Sequence, residues 1–186
     1  DVAGACFGTV ELAEIVDGSA VEPGDPVIGL PSSGIHSNGY TLARSALEGL
    51  PLSEDPEGRL GRPLGDVLLE PTEIYVKPVL ELLRSEVEVR GLAHITSGGL
   101  GNLLRLAAEV GYEIDEPLPV PPVFELIRER AGASEGEMHE VFNMGCGFCC
   151  VVAPGDEAGA VELLRRHYPE AQRIGRAVEG SSVRRR

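Results

Sequence analysis

Short apolar runs alternate with segments of helical periodicity along this chain, and glycine, proline or small polar residues mark nearly every change between the two. The runs 26–30 and 147–153 are apolar and short enough to be buried strands. The segments 40–50 and 155–167 place apolar residues three and four positions apart, which is typical of amphipathic helices. Because strands and helices interleave, we predict an α/β (α+β) fold in which a layered mixed β-sheet is flanked by helices.

The same patterns assign an element to most of the chain. Strands are predicted at residues 5–12, 26–30, 91–95, 112–115, 147–153 and 174–178. Helices are predicted at residues 40–50, 64–69, 78–89, 100–110, 123–130 and 155–167. Ser134 followed by Glu137 resembles a capping box that opens one more short helix. The domain is predicted to span residues 1–179, followed by a polar tail at 180–186.

The charge balance argues against two classes of partner. The formal net charge is −14 at pH 7, and such an acidic surface repels nucleic-acid phosphates and anionic membranes. No apolar run approaches the roughly 20 residues of a membrane-spanning helix, and no signal-peptide pattern opens the chain. We therefore expect no nucleic acid and no membrane as partner. Because Asp1 rather than Met comes first, we expect a fragment of a longer protein or a processed one.

The cysteines are expected to be packing residues in a reducing cytoplasm. Cys146 and Cys149 have a Cys-x-x-Cys spacing, which also occurs in zinc and redox sites. Zinc usually takes four ligands, and the chain has no second close cysteine pair. Cys149 and Cys150 lie in an apolar run, where free cysteine acts as a small hydrophobic residue. We predict no metal site, and we interpret as surface charge the carboxylates that could hold magnesium, which are Asp17, Asp25, Glu70 and Glu73.

The loop from Ser32 to Tyr40 is the first candidate binding site. A predicted strand leads into it and a predicted helix leaves it, so its small residues would let backbone N–H groups approach a ligand. The helix N-terminus adds partial positive charge, which suits a phosphate. Serine and asparagine side chains add hydrogen bonds, and His36 can titrate near neutral pH. The alternative is a tight turn in which Ser37 or Asn38 caps the helix.

Two further loops have a similar composition. Residues 94–102 repeat the order of strand end, small-residue loop and helix start, although Thr96 or Ser97 as a helix cap is the alternative. In residues 142–147, Asn143 is a candidate buried hydrogen-bonding side chain, and a bulged strand entrance is the alternative. No catalytic triad or metal-ligand histidine spacing is present. That shortage fits a domain that supplies part of a cleft.

Taken in order, these motifs resemble those of the AIR synthetase family, the phosphoribosylformylglycinamidine cyclo-ligases. The most specific runs are Ser32-Ser-Gly-Ile-His-Ser-Asn-Gly-Tyr40 and Phe142-Asn-Met-Gly145. The other matching runs are Asp1-Val-Ala-Gly4, Ile15-Val-Asp-Gly18, Gly24-Asp25, Pro71-Thr72 with Ile74-Tyr-Val-Lys-Pro78, Ala93-His-Ile-Thr96 with Gly98-Gly99, Pro121-Pro122 with Phe124, Met138, and Ile174-Gly175. The resemblance covers nearly the whole chain.

The resemblance implies an ATP-dependent ring closure in purine biosynthesis, in which formylglycinamidine ribonucleotide becomes aminoimidazole ribonucleotide. It also implies an N-terminal domain, absent from this chain, that holds most of the ATP and Mg²⁺ and forms a homodimer. This chain would supply the C-terminal half of the cleft for the small nucleotide substrate. We therefore expect the chain alone to be inactive.

By position in the matching motifs, the resemblance assigns His36 as catalytic. It assigns to substrate or phosphate binding Ser32, Ser33, Gly34, Ser37, Asn38, Gly39, Thr96, Gly98, Gly99 and Asn143. The second loop departs from the family's usual pattern, because Ser97 replaces the first of three glycines and Leu104 stands where proline is common. The Ser97 side chain would either block a close backbone approach or add a contact.

Two other classes of function stay open. ATP-binding enzymes of the same superfamily include selenophosphate synthetase, thiamine-monophosphate kinase, a hydrogenase-maturation dehydratase and formylglycinamidine ribonucleotide synthetase. The loop from Ser32 to Tyr40 favours the cyclo-ligase over each of them. The second class is an isolated domain without catalysis that acts as a binding or regulatory module.

Overall fold

A six-stranded mixed β-sheet forms the centre of the computed structural model, which describes residues 4–185. Its strands are β1 Pro26–Pro31, β2 Val89–His94, β3 Gly111–Ile114, β4 Cys146–Val152, β5 Gln172–Val178 and β6 Val183–Arg185. The strand order is β2-β4-β1-β5-β3-β6, and every neighbouring pair is antiparallel except β3 and β6. The predicted layered mixed sheet flanked by helices is confirmed.

Helices cover both faces of this sheet. The α-helices are α1 Tyr40–Ala46, α2 Leu64–Leu68, α3 Val76–Leu83, α4 Pro122–Ala131, α5 Glu135–Val141 and α6 Glu157–Arg165, and short 3-10 helices occupy Leu12–Glu14, Pro56–Gly58, Gly99–Arg105 and Pro154–Asp156. Helices α3 and α6 pack on the face that carries Ile28 and Leu30. The opposite face, which carries Val27, packs against the 3-10 helix Gly99–Arg105. Helices α1, α2, α4 and α5 form a third cluster around Phe142.

The short helix α5 begins with the capping box that the sequence predicted. Ser134 and Glu137 form the predicted capping box: the Ser134 hydroxyl accepts the Glu137 N–H at 3.2 Å, and the Glu137 carboxylate accepts the Ser134 N–H at 2.8 Å. Among residues 4–185, no helix has both the length and the apolar character needed to cross a membrane.

Three predicted elements differ from the structure. Residues 5–12, predicted as a strand, are exposed and pair with no other strand of the described chain, so their backbone gains no ladder hydrogen bonds. Of residues 100–110, predicted as one α-helix, 100–105 belong to the 3-10 helix Gly99–Arg105 and 106–110 are not helical. The Asn102 side chain bonds to nearby backbone carbonyls there. The predicted polar tail contains β6, which pairs with β3. Residues 1–3 of the first matching run lie outside the described residues.

A β-bulge at the start of β4 places two cysteines side by side. Leu30 pairs with Phe148 whereas Pro31 pairs with Cys146, so Gly147 is the extra residue. The bulge brings Cys146 onto the same sheet face as Cys149, and their sulfur atoms are 3.6 Å apart. Both cysteines are buried, and burial raises the pKa of the neighbouring Cys150 thiol to about 12. The interpretation of the β4 cysteines as packing residues is confirmed.

Candidate functional site

The three candidate loops meet at one end of the central strands. Strands β1 and β2 end at Pro31 and His94, and β4, which is antiparallel to both, begins at the same edge. The Ser32 N–H donates to the Gly145 carbonyl at 2.9 Å, and the Ile95 N–H donates to the Gly147 carbonyl at 2.9 Å. The loop between α5 and β4 therefore joins the loops that follow β1 and β2.

Asn143 is the hydrogen-bonding centre of this junction. Its side-chain oxygen accepts the Ser32 hydroxyl and the Gly145 N–H, each at 2.9 Å, and its amide nitrogen donates to the Gly34 carbonyl at 2.8 Å. The side chain is buried, as the sequence predicted. Because one side chain satisfies groups from two loops, Asn143 sets their relative position. The Ser32 hydroxyl is thereby held inside the site.

A fourth segment, residues 71–75, supports the first loop from the other side. The Ser33 hydroxyl donates to the Pro71 carbonyl at 2.7 Å, and the hydroxyls of Ser37 and Thr72 are 3.0 Å apart. The Tyr75 hydroxyl donates to the Pro31 carbonyl at 2.7 Å. Sequence reasoning used this segment only as part of the family resemblance. The only sequence feature that could have pointed to this segment is the Pro71-Thr72 pair shortly before a helix, and such pairs are too common to indicate a site.

Ser37 is the exposed residue of the first loop, and the neighbouring Asn38 is half-buried. Helix α1 begins after Gly39, which has a φ of 71° and provides no side-chain cap, so the alternative in which Ser37 or Asn38 caps the helix is wrong. Within the described chain, the Asn38 side-chain amide makes no hydrogen bond. A Cβ atom on Gly39 would overlap the Phe142 ring. The Ser37 and Asn38 side chains therefore lie before helix α1 without capping it.

The second loop is organised by a residue that the sequence interpretation did not select. The buried Asn102 side-chain amide donates to the Gly99 carbonyl at 2.6 Å and to the Ser97 carbonyl at 3.2 Å. The Thr96 hydroxyl donates to the Asn102 side-chain oxygen at 3.4 Å, so it is turned inward. Gly98 is the cap residue and its N–H donates to the Glu140 carbonyl at 2.8 Å, so the alternative in which Thr96 or Ser97 caps the helix is wrong.

His36 lies behind the first loop rather than on its surface. It is 4% exposed and has a φ of 60°, and its Nε2 atom accepts the Ser33 N–H at 3.2 Å. Its Nδ1 atom is buried without a hydrogen-bond partner in the described chain. Burial, and next the nearby His94, lower the pKa of His36 to about 4. His36 is therefore neutral at pH 7 and acts as a hydrogen-bond acceptor.

His94 is the histidine that faces solvent at this edge. Its ring centroid lies 6.3 Å from that of His36 and 6.0 Å from that of Tyr75. It borders an open groove of about 500 Å³ whose other walls are Phe148 and residues 72–80. Burial lowers the pKa of His94, which favours its neutral ring.

The acidic side chains considered for magnesium are separated and engaged elsewhere. The buried Asp25 pairs with Arg90 at 2.9 Å, and Glu73 accepts the Tyr168 hydroxyl at 3.1 Å. Asp17 accepts the Ser19 N–H, and Glu70 pairs with Arg62. No group of three or more His, Cys, Asp or Glu side chains within residues 4–185 is arranged to hold a metal ion. Within the part of the chain that the structure describes, these four carboxylates therefore do not come together as a magnesium site.

The buried His36 predicts a pH dependence of stability. Its pKa is about 4 in the folded state and about 6.5 when unfolded, so between these values the unfolded state binds the extra proton. The free energy of unfolding should therefore fall as the pH drops from 6.5 toward 4. We expect His36→Asn, which tolerates the positive φ, to flatten this dependence by up to about 1.4 kcal/mol per pH unit.

Urea unfolding of the wild type and of His36→Asn at pH values from 5 to 7.5 measures this effect. His94 and His139, whose pKa values burial also lowers, remain in both proteins, so the difference between the two curves reports His36. Parallel curves would show that His36 does not titrate as its surroundings imply.

Comparison with known proteins shows a matching family model and similar curated relatives. The family model described as "AIR synthase related protein, C-terminal domain" matches residues 22–186. The phosphoribosylformylglycinamidine cyclo-ligase of Myxococcus xanthus is 50% identical over 186 residues, covering 97% of this chain and 53% of the relative. That of Methanothermobacter thermautotrophicus is 52% identical over 167 residues, covering 88% and 49%. The chain thus spans about half the length of these curated relatives.

Solved structures agree with this assignment at the level of the fold. The hydrogenase maturation protein HypE of E. coli has a TM-score of 0.57 at 24% identity, covering 90% of this chain and 48% of that one.

Proposed function

We propose, from the premise that this chain belongs to the AIR synthase related family as its C-terminal domain, that the full-length protein closes the imidazole ring of aminoimidazole ribonucleotide. The substrates would be formylglycinamidine ribonucleotide and ATP, and the products aminoimidazole ribonucleotide, ADP and phosphate. One observation carries the proposal: the most specific matching runs, at residues 32–40 and 142–145, are joined through Asn143 at one edge of the sheet.

The described residues support distinct roles in this reaction. The exposed Ser37 and the half-buried Asn38 would contact the substrate or its phosphate, together with the backbone of Gly39. Asn143 would hold the loops in register. For His36 we propose that the neutral ring positions the Ser33 backbone, because its buried location leaves it hydrogen-bonded within the loop.

The proposed chemistry proceeds in two steps. The formyl amide oxygen attacks the γ-phosphorus of ATP and ADP leaves; a nitrogen of the amidine then attacks the activated carbon, and phosphate leaves with that oxygen. This chain would orient the substrate and exclude water. Because no group of three or more His, Cys, Asp or Glu side chains among the described residues is arranged to hold a metal ion, we propose that Mg²⁺ and most of the ATP lie on the N-terminal half, in a homodimeric cytoplasmic enzyme.

The direct test is an assay of the purified full-length protein for ADP release. We expect release to require formylglycinamidine ribonucleotide and to match the appearance of aminoimidazole ribonucleotide, whereas residues 1–186 alone give neither product. ADP release with thiamine monophosphate, or AMP release with selenide, in place of that substrate would overturn the proposal in favour of another superfamily enzyme. Turnover by residues 1–186 alone would overturn the assignment of ATP to the other half.

Asn38→Ala tests the proposed contact with substrate. The side chain makes no hydrogen bond in the described chain, so its removal should change the free energy of unfolding by less than about 0.5 kcal/mol. Loss of a hydrogen bond to a charged group should lower kcat/KM about tenfold or more. Steady-state kinetics of the full-length variant check this, with the exposed Ser53→Ala variant as the control. Unchanged kinetics for Asn38→Ala would remove Asn38 from the site.

A further inference from the structure

A cavity of about 230 Å³ lies beside the second loop, between strand β2 and the 3-10 helix Gly99–Arg105. Its walls include Arg105 and His94, and none of the described residues that line it is an aspartate or glutamate. Four other cavities each have at least one carboxylate in their walls, for example Glu11, Glu54, Glu73 and Glu116 in turn. In a chain with a net charge of −14, the cavity beside the second loop is therefore the one in which an anion is least repelled.

Arg105 has a side chain that is free to bind a ligand. The residue is exposed, and its guanidinium forms no ion pair and no hydrogen bond with the part of the chain that the structure describes. Arg90 in strand β2, by contrast, pairs with Asp25 at 2.9 Å and with Glu88 at 2.8 Å. A guanidinium is always charged, and the fork of its N–H donors matches the oxygen atoms of a phosphate. Arg105 therefore brings an uncompensated positive charge to the cavity wall.

The backbone of the second loop offers few free donors, although the composition of this loop suggested a phosphate cradle. The Gly98 N–H donates to the Glu140 carbonyl at 2.8 Å. The N–H groups of Gly99 and Gly101 donate to carbonyls within the loop, at 3.0 Å and 3.1 Å. The Asn102 side-chain amide is also used, since it donates to the Gly99 carbonyl at 2.6 Å. Recognition of an anion beside this loop therefore depends on the free side chains of the cavity.

His94 connects the cavity with the first loop. Its ring lines both the cavity and the groove of about 500 Å³ that Thr72 borders, and Thr72 contacts Ser37. The nitrogen atoms of the His94 ring form no hydrogen bond within the described chain, so the N–H of the neutral ring is free to donate. A substrate that contacts Ser37 would therefore extend past His94 to Arg105.

We propose that this cavity binds the 5′-phosphate of the ribonucleotide substrate, with Arg105 pairing with the phosphate oxygens and His94 donating a hydrogen bond. The proposal rests on the proposed function, which supplies a ribonucleotide. The cavity is smaller than the roughly 300–1,000 Å³ of sites that enclose a whole ligand, so it suits one group of a larger molecule.

A phosphate monoester fits this cavity better than the triphosphate of ATP. A bound triphosphate brings Mg²⁺, which proteins hold through carboxylates, and none of the described residues that line the cavity carries one. The 5′-phosphate does not react during ring closure. Arg105 would therefore contribute binding energy and select the nucleotide over the nucleoside, without taking part in the bond changes.

Arg105→Gln in the full-length protein tests the contact by kinetics. The exposed Arg105 side chain has no partner to lose in the described chain, so the urea midpoint should stay unchanged. We expect the KM for formylglycinamidine ribonucleotide to rise about tenfold or more while the KM for ATP changes less than about twofold, because a charge-assisted contact with one substrate is lost. Arg105→Lys, which keeps the charge without the fork, should recover part of the loss. Arg44→Gln removes an exposed arginine that lines none of these cavities and is the matched control.

A binding measurement tests the same contact without turnover. Ribose 5-phosphate, ribose and inorganic phosphate are each titrated calorimetrically into the full-length wild type and Arg105→Gln. We expect ribose 5-phosphate to bind the wild type about tenfold more tightly than the variant, and ribose, which lacks the phosphate, to show no dependence on Arg105.

The outcomes separate the proposal from its alternatives. An unchanged KM for the ribonucleotide in Arg105→Gln would overturn it and leave the proposed function standing. A rise in the KM for ATP alone would assign the cavity to the polyphosphate, and an affinity for inorganic phosphate that depends on Arg105 without any change in the ribonucleotide KM would assign it to the released product. If the wild type does not cyclise its substrate, the proposed function fails. A loss of ribose 5-phosphate affinity in Arg105→Gln would then still support the phosphate site, whereas equal affinity in the two proteins would reject it.

Discussion

Replacing Asn143 with alanine is expected to lower the free energy of unfolding by about 3 kcal/mol. Each buried group that is left without a hydrogen-bond partner costs about 1–3 kcal/mol of that free energy. The groups affected are the Ser32 hydroxyl, the Gly145 N–H and the Gly34 carbonyl. Their loss would also release the first loop from β4, so kcat/KM of the full-length protein should fall about a hundredfold or more. Urea unfolding of residues 1–186 and kinetics of the full-length protein measure the two effects.

Two companion variants separate the contributions at this site. Asn143→Asp keeps the shape but points a carboxylate oxygen at the Gly34 carbonyl, so it should destabilise the fold about as much as the alanine variant. Asn38→Ala, which should reduce catalysis without affecting stability, distinguishes loss of a substrate contact from loss of loop position. An unchanged urea midpoint for Asn143→Ala would refute the role of Asn143 as the junction of the loops.

Gly147→Ala is expected to destabilise the fold by about 2–4 kcal/mol, because a new Cβ atom has no room at the bulge. The Cβ would overlap the Tyr75 hydroxyl and lie 2.6 Å from the His36 Cε1 atom. Tyr75 cannot easily move away, since its hydroxyl bonds to the Pro31 carbonyl and its ring packs against Phe148. Urea unfolding gives the loss directly. Gly155→Ala, where a Cβ meets open space, should change stability by less than about 0.5 kcal/mol.

A double-mutant cycle identifies the clash. Tyr75→Phe removes the oxygen atom that the new Cβ would meet, so Gly147→Ala should cost at least about 1 kcal/mol less in that background than in the wild type. Additive effects of the two substitutions would show that Tyr75 is not the obstacle. The cycle also tests whether Tyr75 and Gly147 together fix the position of the loop after β1.

Much of the fold could be predicted because its signals are local. The strands around Val27 and Cys150 are short apolar runs, and the capping box at Ser134 needs only two residues at a fixed spacing. The family resemblance predicted from the motifs is confirmed as well. The burial of Asn143 was also predictable, since a polar amide among glycines and apolar residues usually finds partners in the interior.

The rest depended on contacts between distant parts of the chain. The sequence of the loop could not indicate whether the His36 ring would be buried or exposed. The positive φ of His36 turns its ring beneath the loop rather than toward solvent. Residues 71–75 support the first loop through bonds between distant positions. The 2.7 Å hydrogen bond from the Ser33 hydroxyl to the Pro71 carbonyl, for example, joins residues that are 38 positions apart in sequence. The missing strand at residues 5–12 depends on whether a neighbouring strand exists to pair with it.

The extra residue in β4 determines which face of the sheet the residues before it occupy. Side chains alternate along a strand, so one inserted position reverses the phase of everything on its N-terminal side. If Gly147 were accommodated in a regular ladder without the bulge, Cys146 would turn toward the opposite face and Asn143 would fall out of step with Ser32. The bulge therefore sets which face the residues before Phe148 occupy, and one further residue inserted between Asn143 and Phe148 should reverse it again.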